Sequence, residues 1–244
     1  MTFGGDGTIL YAAKHFNGDF IPPMITFAQG SLGFMANFTF EDHPLVFKQL
    51  FTRNSEGTHK PSEVIAFEKR MRLKVNMGPG VNPIRKIYRG DQLEIFEEVE
   101  VKNFHVLNEV VLDRGPSPYS VQLNISINNS ELTSTIGDGI IISTPTGSTA
   151  YNLSAGGSIV ETSTQCMLLT PLAPHSLSFR PLIVPDTSIL KVAKYKDNRN
   201  PAFVGFDGAN RFVLQDGESI IVEGSQYPLL FVTLKTDNLT DLWA

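Results

Sequence analysis

Met1-Thr2-Phe3-Gly4-Gly5-Asp6-Gly7-Thr8-Ile9-Leu10 reads as the end of a strand, three glycines within four positions, and the start of a helix. A glycine-rich turn between strand and helix bends sharply and exposes backbone N–H groups, which makes it a natural phosphate cradle. It is not a Walker A loop, because no lysine follows the glycines. It is not the dinucleotide fingerprint either, because Ile9 and Leu10 stand where a third glycine would be sought. Asp6 has two readings at this stage. It is the cap of a plain strand-to-helix turn, or it is a carboxylate beside a phosphate cradle, placed to accept the proton of an attacking hydroxyl.

Working outward, residues 8–16 suggest a short amphipathic helix, residues 24–28 an apolar strand, and residues 41–51 a second helix with apolar spacing at Leu45, Phe47, Leu50 and Phe51. Thr39 followed by Asp42 is a capping signal for that helix. Residues 1–57 are therefore expected to form an α/β domain. Residues 1–3 look like the last turn of a strand that begins upstream, so part of this domain is expected to precede Met1. From residue 58 to 228 the pattern is β-rich, with period-2 and other β-rich runs at 71–75, 93–101, 106–112, 119–127, 139–143, 189–195, 202–206 and 219–222, a further such run at 229–234, and turn signals such as Asp207-Gly208 between them. Many short strands at close spacing predict an all-β, sandwich-like carboxy-terminal domain. Residues 149–160 depart from it as a candidate helix, and residues 229–244 are expected to return to the first domain.

Composition narrows the function. The chain has 244 residues, 41% hydrophobic and 18% charged, with a formal net charge of −5. That balance fits a folded globular protein and lacks the basic stripe of a nucleic-acid binder. The densest basic run, Lys69-Arg70-Met71-Arg72-Leu73-Lys74, reads as one strand with a solvated basic face; a phosphate-facing surface is the alternative. No apolar run approaches the about 20 residues needed to span a membrane. Cys166 is the lone cysteine and sits in an apolar run, and the histidines show no metal-ligand spacing, so no protein-held metal is expected.

Two further stretches carry chemistry. In Ser143-Thr144-Pro145-Thr146-Gly147-Ser148-Thr149-Ala150-Tyr151-Asn152-Leu153-Ser154-Ala155-Gly156-Gly157 an apolar strand runs into a loop dense in hydroxyls and small residues. Small residues permit close approach, hydroxyls supply hydrogen bonds, and Tyr151 offers a stacking face. A capped helix start would use the same residues, but the density of small polar groups favours a binding loop. Asn108-Glu109 interrupts the apolar run 106–112, either as a turn or bulge or as polar groups recognising a sugar or base. Asp138, between Gly137 and Gly139, invites the same two readings.

Taken together, Gly4–Thr8, Ser31-Leu32-Gly33-Phe34, Asn108-Glu109 with Asp113-Arg114-Gly115, Asp138-Gly139, the 143–157 run and Pro174-His175-Ser176 resemble the NAD kinase (ATP-NAD kinase) family over nearly the whole chain. The 143–157 run is the specific part of this resemblance. The glycine pentapeptide is shared with diacylglycerol and sphingosine kinases and phosphofructokinases. The resemblance implies a Rossmann-like amino-terminal portion, incomplete here, and ATP-dependent phosphorylation of the adenosine 2′-hydroxyl of NAD. It implies Asp6 as catalytic base. It places Gly7, Phe34, Asn108, Glu109, Tyr119, Asp138, Thr149, Ala150, Tyr151, Asn152, Leu153 and Ser154 at NAD, and Gly4, Gly5, Gly7 and Thr8 at ATP, with Mg²⁺ accompanying the nucleotide. It further implies a homo-oligomer acting on small molecules, with neither nucleic acid nor membrane as partner. The expected compartment is the cytoplasm, or the mitochondrion if a targeting segment precedes Met1. A lipid or other small-molecule kinase sharing the loop, and an inactive nucleotide-binding module, are the alternatives.

Overall fold

Parallel pairing opens the structure. Thr2–Phe3 lies beside Thr26–Ala28, which lies beside Phe38–Thr39, and both pairs run parallel. In the computed structural model, which describes residues 1–16, 21–30, 33–51, 65–79, 84–89, 92–98, 102–176, 178–195 and 200–234, the chain divides into two compact units. Met1–Arg70 with Tyr227–Ala244 forms the first, and Met71–Gln226 the second. The expected boundary after residue 57 lies outside the described residues. The strand Ile65–Arg70 belongs to the first unit because it pairs antiparallel with Leu229–Leu234 along its whole length.

Within the first unit, the helix Asp6–Ala13 starts two residues earlier than residues 8–16 suggest and buries Ile9 and Ala13. Aromatic packing fills the space around the sheet. Phe27 stacks on Phe3 with centroids 5.3 Å apart and meets Phe38 and Phe47 at 5.7 and 5.9 Å. A 3₁₀ turn, Phe40–Asp42, leads into the helix His43–Phe51. The expected cap is present: the Thr39 amide donates to Asp42 Oδ2 at 2.8 Å and the Thr39 hydroxyl at 2.7 Å. The late strand is tied to the early segment through Met24, whose N–H donates to the Leu230 carbonyl while its own carbonyl accepts from Val232.

The second unit is a sandwich of antiparallel sheets. One six-stranded sheet runs Ser130–Gly137, Val121–Ile127, Leu190–Lys194, Glu218–Gly224, Leu73–Pro79, Lys102–Val106. The other runs Leu182–Pro185, Cys166–Leu172, Gly139–Ser143, Glu109–Asp113, Ala202–Phe206, Ala209–Leu214. Alternation supplies the core. Val121, Leu123 and Ile125 face Val110, Leu112, Ile140 and Ile142 in one continuous apolar cluster. The central strand Gly139–Ser143 is buried on both faces, because the hydroxyl-rich loop lies over its outer side, where Asn152 accepts from Thr170.

Three sequence expectations change. The run 106–112 is not one strand: Lys102–Val106 ends in one sheet and Glu109–Asp113 begins in the other, so the chain crosses the sandwich at Leu107–Asn108. The expected helix at 149–160 shrinks to Tyr151–Ser154, preceded by a 3₁₀ turn, Thr146–Thr149. Gly156, at φ +81°, turns the chain out of the helix. The basic run 69–74 is not one solvated face: it breaks between strands, and Arg70 and Arg72 are 6% and 1% exposed.

Gly139 marks the tightest strand packing. Its φ is +152°, and a Cβ there would stand 2.0 Å from the Leu112 carbonyl oxygen. Gly139→Ala is expected to destabilise the protein by more than about 1 kcal/mol, read as a lower denaturant midpoint.

Candidate functional site

Each unit carries a candidate site of its own. In the first unit, the Gly4 N–H donates to the Phe27 carbonyl at 2.9 Å, which carries the sheet ladder one step into the glycine loop. Gly4 then turns at φ +149°, where a Cβ would strike the Thr8 hydroxyl at 2.4 Å. Gly5 caps the helix, and a Cβ at Gly5 or Gly7 would enter open space. That is the geometry of a backbone approachable by a ligand. Asp6, at the first helical position, is gripped by the segment after Gly33. Its Oδ2 accepts from the Phe34 amide and its Oδ1 from the Met35 amide, each at 3.1 Å. Gly33 is required by this grip, since a Cβ there would lie 2.3 Å from Asp6 Oδ1. Phe34 itself is exposed while Met35 is buried. Ser31 and Leu32 of the same motif lie outside the described residues.

In the second unit, the site forms at the crossing between sheets. Asp207 carries it: Oδ2 accepts from the Leu107 amide at 2.9 Å, and Oδ1 accepts from Asn108 and Glu109 at 2.8 and 3.1 Å. Thr144 and Ser143 hold the other side of the corner, the Thr144 hydroxyl donating to the Leu107 carbonyl and the Ser143 hydroxyl to that of Asn108. Gly147 packs so closely that a Cβ would meet the Asn108 oxygen at 2.2 Å. With the backbone so consumed, three side-chain atoms are left over. Asn108 Oδ1, Glu109 Oε2 and Thr146 Oγ1 are buried without a hydrogen-bond partner among the described residues. Buried polar atoms are normally paired, so such orphans point to a ligand.

The electrostatics of this corner are unusual. Burial, reinforced by the Asp207 charge, pushes the Glu109 carboxyl up to about 7. Burial lowers Arg72 to about 10, opposed by the attraction of Asp207. Burial and the charges of Arg72 and Lys74 hold His105 down at about 4, so its ring is neutral at pH 7. A buried cation and a buried anion thus lie beneath a carboxyl poised near neutrality.

The hydroxyl-rich loop is built around Asn152. Its Nδ2 donates to the Ser148 and Ser158 carbonyls at 3.1 and 3.0 Å, and its Oδ1 accepts from the Thr170 hydroxyl at 2.6 Å. That side chain is fully buried and engaged inside the loop. Its neighbours differ, since Tyr151, Leu153 and Ser154 are exposed and Thr149 and Ala150 half-buried. Ser148 and Val160 close the loop with a reciprocal pair, the hydroxyl donating at 3.2 Å and accepting at 3.0 Å.

Asp138 is half exposed and paired with Arg114, whose Nε lies 2.6 Å from Oδ1. Tyr119 is exposed, 67% of its surface being open. Nearby, the Ser120 hydroxyl is 3.3 Å from His175 Nε2, and the His175 amide donates to Ile136. The corner also contains two residues that sequence reasoning passed over. Asp207 looked like half of an ordinary Asp-Gly turn, and Arg72 like part of a solvated stripe. The one local hint was an acid at a hairpin tip where asparagine serves equally well.

Comparison with known proteins agrees with this layout. Profiles of the ATP-NAD kinase N-terminal and C-terminal domains match residues 1–55 and 107–234. The chain is 39% identical over 235 residues to the ATP-NADH kinase of Saccharomyces cerevisiae, covering 93% of this chain and 43% of that protein. It is 41% identical over 238 residues to the chloroplastic NAD kinase 2 of Arabidopsis thaliana, covering 98% of this chain and 22% of that one. The crystal structure of yeast NADH kinase complexed with NADH matches it with a TM-score of 0.77 at 34% identity, over 99% of this chain and 62% of its own. The chain thus spans less than half the length of those two sequence relatives.

Glu109 generates a pH prediction. Between its ordinary value of 4.5 and about 7, the folded protein keeps a proton there that the unfolded chain has lost. This group's contribution to stability is complete below the lower value and drains away as pH rises through the upper one. Glu109→Gln, which stays neutral, should therefore gain on the unaltered protein by up to about 3 kcal/mol between pH 5 and pH 8, read from denaturant curves at both.

Proposed function

Because the chain belongs to the ATP-NAD kinase family, we propose that it transfers the γ-phosphoryl group of ATP to the 2′-hydroxyl of the adenosine ribose of NAD, giving NADP and ADP. The observation that carries this reading is the Asp6 carboxylate, held by two backbone amides at the head of a helix behind an open glycine loop. Each carboxylate oxygen keeps lone pairs beyond the one amide it accepts. Asp6 takes the proton of the hydroxyl as its oxygen forms a bond to phosphorus in line with the departing ADP oxygen. Gly4, Gly5, Gly7 and Thr8 hold the phosphates. Mg²⁺ arrives with ATP as part of the substrate, neutralising phosphate charge; among the described residues no cluster of three acidic, His or Cys side chains is arranged for an ion.

NAD is held by groups the fold leaves open. Asn108 and Glu109 offer buried acceptors to its hydroxyls, and below pH 7 a protonated Glu109 is also a donor. In the second unit Tyr151 presents a ring face, and Tyr119, Asp138, Thr149, Ala150, Leu153 and Ser154 are its further candidate contacts; Gly7 and Phe34 are the candidate contacts of the first unit. Asn152 shapes this surface from within. The relatives bear the names of both NAD and NADH kinases, so both oxidation states of the acceptor belong in the assay. Within this reading the protein is a homo-oligomer working on small molecules in the cytoplasm. No helix among the described residues is long and apolar enough to cross a membrane.

Coupled detection of NADP formation tests the base. Asp6→Asn should lose about 10²–10⁴-fold in rate while calorimetry still finds NAD bound; an unchanged rate removes Asp6 from the role. Gly33→Ala, which drives a methyl group into the Asp6 carboxylate, should lower the rate by about 10²-fold with NAD affinity kept. Radiolabelled ATP offered with NAD, NADH and a lipid panel decides the acceptor, and label on a lipid but not on either dinucleotide overturns the reading.

A further inference from the structure

We propose that Asp207 is the positioning residue of the dinucleotide site: its carboxylate fixes the Leu107–Glu109 corner and so aims Asn108 and Glu109 before any ligand arrives. The inference rests on the dinucleotide reading of that corner. Its ground is geometric. In an extended strand successive N–H groups point to opposite sides. Here three successive N–H groups, those of Leu107, Asn108 and Glu109, converge on one carboxylate at 2.9, 2.8 and 3.1 Å. Such a bend persists only while one acceptor satisfies all three donors, because a buried amide without a partner is costly. The Asp207 N–H in turn donates to the Glu109 carbonyl at 3.0 Å, locking the hairpin tip to the corner from both directions.

The turn alone does not call for this residue. Asp207 and Gly208 have φ of +46° and +68°, the two-residue hairpin turn that Asn-Gly forms equally well. An acid there buries a charge at 9% exposure, which is unfavourable unless charge-assisted hydrogen bonds answer it. The three amides supply those bonds, and Arg72 lies near enough for Asp207 to act on its ionisation. The consequence appears one atom further out: with the corner fixed, Asn108 Oδ1 and Glu109 Oε2 are, with Thr146 Oγ1, buried polar atoms left unanswered. The other titratable groups at this place, among the described residues, are Arg72, His105, which is neutral, and Lys74, which is paired with Glu223 at 2.9 Å.

The test uses the full chain with NAD and ATP. Asp207→Asn removes the charge and turns an amide group toward backbone donors. It should raise KM for NAD about 10- to 100-fold with KM for ATP unaltered, as misplacement of a binding group does. It should also move the Glu109 midpoint in the pH profile of NAD binding below about 7, since the Asp207 charge helps hold it there. Asp207→Glu, which keeps the charge, should leave that midpoint in place while weakening NAD binding. Amide exchange on the unaltered, NAD-free protein needs no variant: residues 107–109 should exchange as slowly as residues 139–143. The proposal is overturned if Asp207→Asn keeps its KM for NAD, if both substrates suffer equally, or if these amides exchange freely until NAD is added. No NAD binding by the unaltered protein would instead remove the dinucleotide reading itself.

Discussion

Three backbone amides meeting on the Asp207 carboxylate hold the place where the chain passes from one sheet of the sandwich to the other. Neither strand ladder can satisfy donors at such a crossing, so an acceptor must come from elsewhere in the chain. It comes from a hairpin about 100 residues later. Ser143 and Thr144, at the end of the central strand, answer the carbonyls of the same corner. The hydroxyl-rich loop therefore begins at the corner, and the loop and the crossing are built as one piece.

The first unit meets the same demand by a different device. Its acid is exposed enough to react, yet it is not loose, because the Phe34 and Met35 amides fix both oxygens. Glycine makes the grip possible in two senses. Gly4 supplies a backbone conformation that side chains avoid, and Gly33 supplies room for the carboxylate itself. Amides that hold a carboxylate also fix where its remaining lone pairs point, which is what the base role proposed for Asp6 would need in place of strong intrinsic basicity.

Charge burial in the sandwich follows from the crossing. An acid placed to serve three amides must lie inside, and Arg72 is buried in its neighbourhood. The same negative charge then acts outward on Glu109, adding to desolvation and bringing that carboxyl to neutrality. Structure at the corner and chemistry at its surface are thus coupled through one group.

Local rules read much of this protein from its letters alone. Period-2 and apolar β-rich runs located the strands Gly139–Ser143, Ala202–Phe206 and Leu229–Leu234 at their observed bounds. Glycine density marked the turn at Gly4–Gly7, and Thr39 with Asp42 marked a helix start, because these features depend on residues a few positions apart. The α/β character of the first part and the antiparallel sandwich of the second were legible for the same reason, and Asp6, Asn108 and Glu109 could be singled out as candidates from their local surroundings. What tertiary structure alone decided was which polar groups face inward and which are left over. The Asn152 side chain turns inward to Ser148, Ser158 and Thr170, while Arg72 looked solvated and is buried. Asp207 looked like a turn and anchors a corner a hundred residues away. Burial and hydrogen-bond completion are set by partners distant in sequence, and no local pattern encodes them.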